Sequence, residues 1–261
     1  MSVRKHRLDL MLVENGWFAS RQRARAAIMA GKVFVNGQRV DKPGFSVSAP
    51  DTIECKGDEL AYVSRGGLKL EAALQHYCVD VSAAVCMDVG ASTGGFTDCL
   101  LQNGAKRVYA IDVGYGQLAW KLRQNPRVIV MERTNARYLK ADALPECVDL
   151  ITIDVAFISL KIVVPAIIQL MKPNASILAL IKPQFEVGRG QVGKGGVVRD
   201  PQLHEQVIQT LADYFRLQQL KPDSVYPSPV PGPKGNREFF MLLRPSEHLS
   251  ESNFSDIPDK G

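Results

Sequence analysis

Short apolar runs, separated by helical or loop segments, dominate the sequence between residues 85 and 181. Runs that are apolar throughout, without alternation, are typical of parallel strands buried on both faces of a sheet. A later run, Glu238–Leu243, predicts one strand of an antiparallel pair at the edge of the same sheet. The sequence therefore predicts an α/β fold, whose parallel strands we place at Val85–Val89, Arg107–Ile111, Val128–Met131, Leu150–Ile153 and Ile177–Ile181.

The first 45 residues form a different, strongly basic segment. They contain nine basic and three acidic residues, a net charge of +6, whereas the whole chain carries +5. A helix over 7–14, a helix over Arg21–Met29 that Ser20 can cap, and an Asn36-Gly37 hairpin turn predict a small α+β module. A basic module on a nearly neutral domain indicates a polyanionic partner at one end of the molecule, although a solvated basic face also explains the charge.

These two patterns predict two domains in a chain of 261 residues. We expect a small domain over residues 1–61 and a joint over 62–67, where paired glycines relax the backbone. An α/β domain over 68–245 follows, beginning with a helix over Leu68–His76. A polar tail over 246–261 is expected to fray.

Composition excludes several classes of protein. Hydrophobic residues make up 46% of the chain, enough for a sizeable core, so wholesale disorder is not expected. The five cysteines show no CxxC spacing, which supports neither a disulfide framework nor a metal site. The N-terminus lacks a signal-peptide core, and charged residues interrupt the most apolar stretch, Val148–Met171. We therefore expect a cytoplasmic protein with no membrane span and no metal.

A glycine-rich loop, Asp88 to Phe96 (DVGASTGGF), follows the first predicted parallel strand and precedes a helix. Its glycines let the backbone pass close to a ligand, and Asp112, at the end of the next strand, can accept hydrogen bonds from both ribose hydroxyls of an adenosine. We predict a nucleotide-like cofactor here, with a cap or turn as the alternative role of Asp112. The loop lacks the Lys-Ser/Thr pair of a phosphate-binding loop, but its chemistry alone does not separate a dinucleotide from S-adenosylmethionine.

Four charged residues are placed to act beside that loop. Asp154 ends the fourth predicted parallel strand, Lys182 ends the fifth, Glu238 begins the last strand, and Lys69 lies on the entering helix. The carboxyl ends of parallel strands open into one crevice, so Asp154 and Lys182 are expected to converge. A lysine oriented by carboxylates, with a second lysine nearby, can in its neutral form accept a proton from a ribose hydroxyl. Taken singly, Lys69 and Glu238 are better explained as ordinary salt bridges or caps.

Seven motifs connect the chain to a known family: Ser64–Leu70 (SRGGLKL), Asp88–Thr97 (DVGASTGGFT), Asp112–Trp120 (DVGYGQLAW), Glu132–Arg137 (ERTNAR), Asp154 with Phe157–Leu160, Lys182–Gly188 (KPQFEVG) and Pro231–Glu238 (PGPKGNRE). Together they are highly specific, and nearly the whole chain up to about Arg244 resembles the TlyA family. In these bacterial proteins an S4-type RNA-binding module precedes an FtsJ-like 2′-O-ribose methyltransferase. Some members carry the name haemolysin.

The resemblance implies a Rossmann-like S-adenosylmethionine-dependent methyltransferase domain after a small α+β S4-type domain. Lys69, Asp154, Lys182 and Glu238 match the Lys-Asp-Lys-Glu tetrad of 2′-O-methyltransferases, with Lys182 as the base that activates the hydroxyl. The implied substrate is cytidine in ribosomal RNA, of the large subunit and in some members also of the small one. The implied cofactor contacts are Asp88, Gly90, Ala91, Ser92, Thr93, Asp112, Val113, Asn135 and Asp154.

The resemblance to S4 modules implies that the basic side chains bind phosphates and the shape of ribosomal RNA, without reading base edges. Binding to ribosomal subunits should then depend strongly on salt. Tyr115 and Phe157 can stack on a flipped cytosine, although we favour a place for each in the core or the cofactor pocket. The expected RNA contacts are Arg4, Arg7, Ser20, Arg21, Arg23, Arg25, Lys32 and Arg65.

Three rival functions remain to be weighed. A non-catalytic S4-type protein that binds RNA or ribosomes has no need of the charged tetrad. A haemolysin-like pore former needs a secretion signal and a membrane-active segment. An S4-bearing pseudouridine synthase needs a nucleophilic aspartate in a different fold. The glycine loop and the tetrad together favour the methyltransferase.

Overall fold

The computed structural model describes residues 6–14, 18, 20–48, 51–55, 61–193 and 195–246. The chain divides into two compact units, residues 1–60 and 61–261. Arg4 and the predicted frayed tail beyond residue 246 lie outside the described residues. Segment 62–67, which we expected to be a joint, belongs to the larger unit.

The smaller unit is an α+β domain. Ser20 caps its second helix by accepting a hydrogen bond from the backbone N–H of Arg23 (3.3 Å). Asn36 and Gly37 both have positive φ, 52° and 77°, as a two-residue type I′ hairpin requires. The described elements are β1 (His6–Arg7), α1 (Leu8–Glu14), α2 (Arg21–Met29), β2 (Val33–Val35), β3 (Gln38–Val40), β4 (Ser46–Val47) and β5 (Ile53–Cys55).

The smaller unit closes around its own apolar core. Strand β2 pairs antiparallel with both β3 and β5, while β1 pairs with β4. Residues on one face of each helix pack against the strands, as the helical spacing of Leu8 and Leu12 indicates. The buried core residues are Leu8, Leu12, Ala24, Ile28, Val33, Val35, Val40 and Val47.

The larger unit alternates strands with helices. Its helices are α3 (Gly66–His76), α4 (Gly95–Gln102), α5 (Trp120–Arg123), α6 (Leu160–Ile167), α7 (Pro183–Glu186) and α8 (Pro201–Leu217). Its strands are β6 (Val85–Val89), β7 (Arg107–Ile111), β8 (Val128–Met131), β9 (Val148–Ile153), β10 (Met171–Ile181), β11 (Leu220–Pro222), β12 (Tyr226–Pro227) and β13 (Phe239–Pro245). Single 3₁₀ turns lie at Ala136–Tyr138, Ile168–Leu170, Arg189–Gln191 and Pro233–Gly235.

These strands form one mixed sheet in the order β11-β13-β10-β9-β6-β7-β8, with β12 also paired to β13. The five strands β10, β9, β6, β7 and β8 are parallel, as predicted, and β13 is antiparallel to β10. The predicted antiparallel pair at the edge of the sheet is confirmed: it consists of β13 and the edge strand β11. The chain returns after α8 as β11 and β12, which pair with the open side of β13 and cover its backbone groups.

Alternate residues of the parallel strands supply two separate cores. Along β6, Val85, Met87 and Val89 pack with the layer that contains α6 and α8. Cys86 packs with the layer that contains α3 and α4. Because helices cover both faces, the strands are apolar throughout, and the fold is the predicted open α/β sheet.

Within the part of the chain that the structure describes, no helix combines the length and apolarity needed to cross a membrane. Among the same residues, no three potential ligands cluster as a metal site would require.

Candidate active site

The strand register brings most of the predicted site residues to one edge of the sheet. Val89, at the carboxyl end of β6, lies opposite Ile111 of β7 and Ile153 of β9. Ile181 of β10 lies opposite Phe239 of the antiparallel β13. The residues that continue these strand ends at this edge are Gly90, Asp112, Asp154, Lys182 and Glu238.

The glycine loop begins in close contact with the neighbouring strand ends. The backbone N–H groups of Gly90 and Ala91 both donate to the carbonyl of Ile111, at 2.8 and 3.0 Å. Gly90 has a φ of +87°, and a Cβ atom there would lie 2.5 Å from the carbonyl oxygen of Asp154. Glycine is thus required at residue 90 both by backbone conformation and by space.

Asp112 closes the far side of this loop. Its Oδ2 accepts a hydrogen bond from the N–H of Ser92 (2.8 Å), and its Oδ1 accepts one from the N–H of Gly114 (2.6 Å). Its side chain remains partly open to solvent, next to the exposed Val113. Asn135 lies in the following turn, where its Oδ1 accepts from the N–H of Arg137 (3.2 Å). Asp112 therefore orders the loop and keeps further lone pairs for a ligand.

Asp88 differs from the other predicted cofactor contacts because it is completely buried. Its Oδ2 accepts a hydrogen bond from the hydroxyl of Thr97 (2.7 Å), and its Oδ1 accepts one from Thr152 (3.3 Å). Burial raises the pKa of this carboxyl to about 7, against the hydrogen bond from Thr97, and the charge of Asp154 raises it further. This geometry argues against direct contact with a cofactor and gives Asp88 a supporting place beneath the loop.

The four charged residues of the predicted tetrad form two ion pairs. Lys182 Nζ lies 2.5 Å from Asp154 Oδ1, and Lys69 Nζ lies 2.5 Å from Glu238 Oε2. The second pair is deeply buried, with the Glu238 side chain 0% exposed and that of Lys69 10% exposed. An ordinary surface salt bridge or cap would not require such burial. The first pair is more open, so solvent or a ligand can reach it.

Close helix packing positions Lys69. A Cβ at Gly67 would lie 2.2 Å from the buried ring of Tyr62, and a Cβ at Gly95 would lie 2.1 Å from Ser64 Oγ. Gly66 and Gly67 therefore begin α3, which packs closely against α4. We had expected a relaxed joint at these two glycines. Helix α3 consequently starts at Gly66, two residues earlier than predicted.

Aromatic side chains near the strand ends are exposed. Phe157 is 89% exposed and has a φ of +64°, a conformation that aromatic residues rarely adopt. Its ring centroid lies 4.9 Å from that of Phe185. Tyr115 is 68% exposed, with the guanidinium of Arg133 4.2 Å from its ring centroid. Of the two places favoured for Phe157 and Tyr115, the core is thus excluded, and a place in the cofactor pocket stays a prediction.

Two further residues, which the sequence analysis gave no role, fasten the loops around this edge. Glu186 accepts hydrogen bonds from the Ser159 hydroxyl and the Leu160 N–H. The buried Asn236 donates from Nδ2 to the carbonyl of Gly196 (3.0 Å). Both residues lie within quoted motifs, KPQFEVG and PGPKGNRE, which were the available signal.

Some of the predicted RNA contacts hydrogen-bond a buried carboxylate, and others are exposed at the surface. Arg7 and Arg21 both hydrogen-bond the buried Asp9, and the hydrogen bond from Arg7 is the main cause that lowers the pKa of Asp9 to about 2. Arg25 and Lys32 are exposed. Ser20 serves as the cap of α2, while Arg23 on the smaller unit and Arg65 on the larger one are exposed at the surface.

Known families match both units. The FtsJ-like methyltransferase family matches residues 62–244, and the S4 domain matches residues 7–53. The 16S/23S rRNA (cytidine-2′-O)-methyltransferase TlyA of Mycobacterium tuberculosis is 50% identical over 245 residues, which cover 93% of this chain and 91% of that protein. Hemolysin A of Brachyspira hyodysenteriae is 41% identical over 234 residues, which cover 89% of this chain and 97% of that protein.

A solved structure shows the same architecture. It belongs to a Streptococcus thermophilus protein named as a hemolysin, with a TM-score of 0.73 and 41% sequence identity. It covers 97% of this chain and 94% of the S. thermophilus chain. The family matches, the identity over most of the chain and the shared architecture agree with one another. The chain belongs to the TlyA family, in which an S4 domain precedes an FtsJ-like methyltransferase domain.

Proposed function

We propose that this protein transfers a methyl group from S-adenosylmethionine to the ribose 2′-oxygen of a cytidine in ribosomal RNA. The observation that carries the proposal is the pair of lysine–carboxylate contacts, Lys182–Asp154 and Lys69–Glu238, beside the glycine loop at the carboxyl edge of the sheet. The printed name of the M. tuberculosis relative specifies this reaction for that protein. The combination supports the same reaction here.

The residues around the glycine loop fit S-adenosylmethionine. Because residue 90 has no Cβ, the glycine loop lies directly against the Asp154 backbone, which brings the loop and Asp154 together at the edge where the cofactor would bind. We assign the ribose of the adenosine to Asp112, the adenine side to Val113 and Asn135, and the methionine side to Asp154. Gly90, Ala91, Ser92 and Thr93 supply the backbone of the pocket, and Asp88 supports it from below.

Lys182 is the proposed base. When bound, S-adenosylmethionine supplies a methyl group made electrophilic by its sulfonium. In its neutral form, Lys182 Nζ would accept the proton of the 2′-hydroxyl as that oxygen takes the methyl group and the methyl–sulfur bond of the cofactor breaks. The resulting ammonium is stabilised by Asp154, 2.5 Å away.

The second ion pair holds the site in place. In the sequence, Lys69 lies near the beginning of the larger unit and Glu238 near its end. Their buried contact connects α3 to the start of β13. Glu238 Oε1 is buried and has no hydrogen-bond donor among the residues that the structure describes. A ribose hydroxyl of the substrate is a suitable donor for that oxygen.

The exposed Phe157 is the proposed stacking surface for the target base. It follows Asp154 by three residues, and its positive φ turns the chain sharply just after the ion pair. A ring that is 89% exposed retains a free face for a flipped cytosine. Phosphate contacts are assigned to the exposed Arg23, Arg25, Lys32 and Arg65, with the large subunit as the first substrate to test.

A methyl-transfer assay with a matched variant tests the proposal. Labelled S-adenosylmethionine is incubated with the protein and purified 50S and 30S subunits, and label in the rRNA is counted. We expect Lys182→Ala to reduce transfer about 10²- to 10⁴-fold, because the general base is removed, while cofactor affinity is unchanged. Lys172→Ala is the control, since Lys172 forms a comparable pair with Asp149 (2.8 Å) at the amino end of the strands.

Two results would count against this function. Wild-type transfer that persists in Lys182→Ala would remove Lys182 as the base. Absence of cofactor binding by the wild-type protein would leave a non-catalytic S4-type RNA-binding protein as the better account. Label in 30S subunits as well as 50S subunits would extend the substrate to both particles.

A further inference from the structure

One carboxylate joins the two loops that leave the catalytic strand ends. Glu186 Oε2 accepts a hydrogen bond from the Ser159 hydroxyl (2.6 Å), and its Oε1 accepts one from the backbone N–H of Leu160 (2.8 Å). Ser159 Oγ in turn accepts from the N–H of Lys161 (3.1 Å). We call these contacts of Glu186 with Ser159 and Leu160 the Glu186 bridge.

The bridge caps helix α6 from outside that helix. Ser159 is the N-cap residue of α6, and Glu186 satisfies the N–H of Leu160, the first residue of α6. A negative charge at a helix N-terminus also interacts favourably with the helix dipole. Local sequence alone does not require this, because Ser159 already caps the helix. The added carboxylate comes from the turn that follows β10.

Each arm of the bridge begins at a residue of the proposed site. The loop from β9 starts with Asp154 and reaches Ser159, and the turn from β10 starts with Lys182 and reaches Glu186. The backbone N–H of Phe185 donates to the carbonyl of Lys182 (2.9 Å), which keeps the second arm to a single helical turn. The Lys182–Asp154 pair and the Glu186 bridge therefore connect the same two arms, one at each end.

Aromatic packing lies between these two connections. The rings of Phe157, on the first arm, and Phe185, on the second, have centroids 4.9 Å apart. Burial raises the pKa of Glu186, while the hydrogen bonds from Ser159 and Leu160 lower it. These bonds therefore hold the carboxylate in a place where it loses solvation by water. Loss of its bonds would free both arms at the point where they hold the exposed Phe157.

We infer that Glu186 is a positioning residue for methyl transfer: it fixes the Asp154 and Lys182 arms, and with them the alignment of base and target nucleotide. The inference rests on the proposed function. Glu186 acts through its bonds to Ser159 and Leu160 and touches no reacting atom. Its removal therefore affects turnover more than cofactor binding, because small errors of alignment are costly in bimolecular transfer.

The test compares Glu186→Ala, Glu186→Gln and Ser159→Ala in the full-length protein. We expect Glu186→Ala to lower kcat about 10- to 100-fold, with KM for the ribosomal subunit and Kd for S-adenosylmethionine within about threefold. Glu186→Gln should restore most of kcat, because its Oε1 can accept from Leu160 and its Nε2 can donate to Ser159. Ser159→Ala should lower kcat less than Glu186→Ala does.

Asp149→Asn provides the control for stability alone. Asp149 also accepts a backbone hydrogen bond, from Val85 (2.9 Å), and pairs with Lys172, but at the amino end of the strands. It should lower the melting temperature while leaving kcat unchanged. Hydrogen–deuterium exchange of residues 154–160 should increase in Glu186→Ala and not in Asp149→Asn.

Wild-type kcat in Glu186→Ala, or an equal loss of kcat in Asp149→Asn at matched stability, would overturn the inference while the proposed function stands. A wild-type protein that binds S-adenosylmethionine but methylates no RNA would overturn the proposed function, and the inference with it.

Discussion

At residue 90, the absence of a side chain determines how closely the glycine loop approaches Asp154 at the end of β9. The Cα of Gly90 lies against the carbonyl of Asp154, and both residues also hydrogen-bond through their backbones to neighbouring strand ends. A single close contact therefore connects the proposed methyl donor site to Asp154, the carboxylate that pairs with the proposed base Lys182. From the sequence, Gly90 was predicted as part of a glycine-rich turn and, by the family resemblance, as a cofactor contact, whereas its contact with Asp154 was not predicted.

Gly90→Ala should push the glycine loop away from Asp154. We expect at least a tenfold loss of affinity for S-adenosylmethionine, because the new Cβ would lie 2.5 Å from the Asp154 oxygen at a φ of +87°. Gly104→Ala is the matched control: its φ is +91°, but its Cβ would meet only Ser82 at 3.5 Å. Both variants carry the left-handed strain of about 1–2 kcal/mol, and only one carries the clash. Equal affinity losses in calorimetric titrations would refute this reading.

Asp88 makes stability depend on pH. Burial raises its pKa from the ordinary value of 3.8 to about 7. The folded protein thus binds this proton more tightly than the unfolded chain, so the stabilisation is present below about pH 4 and is lost as pH rises towards 7. Asparagine cannot ionise, and Asp88→Asn should therefore gain stability relative to wild type between pH 5 and pH 8.

Urea unfolding at pH 5 and at pH 8 measures the difference in stability between Asp88→Asn and wild type. Asp149→Asn is the contrasting control. The pKa of Asp149 is lowered, since its hydrogen bonds from Lys172 and Val85 outweigh its burial. Its ionised form therefore stabilises the fold, and Asp149→Asn should lose stability at both pH values. A stability difference for Asp88→Asn that does not change with pH would contradict the raised pKa.

At the scale of elements, local signals decided which predictions were right. Helix α2 has the predicted bounds because Ser20 caps its start and Gly31, with a φ of +68°, follows its end. Strands β6, β7 and β8 also have the predicted bounds, since each is a short and mostly apolar run. In these places a few adjacent residues contain all the necessary information.

Elements shaped by distant partners were predicted less well. Strand β10 begins at Met171, six residues before the apolar run, because Met171 pairs with Val148 of β9. Strand β11, the partner of β13 in the edge pair, was not identified from the sequence, and α3 begins at Gly66 because it packs closely on α4. Neither pairing partners nor helix contacts can be inferred from one segment alone.

Helix α2 carries two arginines for which we predict different effects. Arg25→Ala should lower affinity for ribosomal subunits and reduce the slope of log K against log salt by about one, with stability within about 0.5 kcal/mol of wild type. Arg21→Ala should also destabilise the smaller unit, because Arg21 bonds the buried Asp9 at 2.9 Å. Arg216→Ala, on the exposed face of α8, is the control. An unchanged salt slope in Arg25→Ala would remove it from the RNA contacts.

On the scale of the whole molecule, the proposed site depends on residues far apart in sequence. Strand-end rules predicted that Asp154 and Lys182 would converge, and the structure pairs them at 2.5 Å. The Lys69–Glu238 pair spans 169 positions, and neither residue alone indicated the other. The Glu186 bridge likewise depends on two loops whose contact no local pattern reveals. Chemistry-bearing residues could thus be predicted from the sequence, whereas their partners required the fold.

The molecule combines a basic unit with a catalytic unit, and each has its own core. The proposal assigns rRNA binding mainly to the first and methyl transfer to the second. Its central claim is chemical: the methyl group goes to a ribose 2′-oxygen, because the proposed site presents a lysine base paired with a carboxylate.

Mass spectrometry of nucleosides from treated 50S subunits tests that claim most directly. The account predicts a methylated cytidine whose fragmentation releases unmodified cytosine, so that the added mass remains with the ribose. The product should be absent with Lys182→Ala and present with Lys172→Ala. A methyl group found on the cytosine ring, or on another nucleoside, would contradict the account.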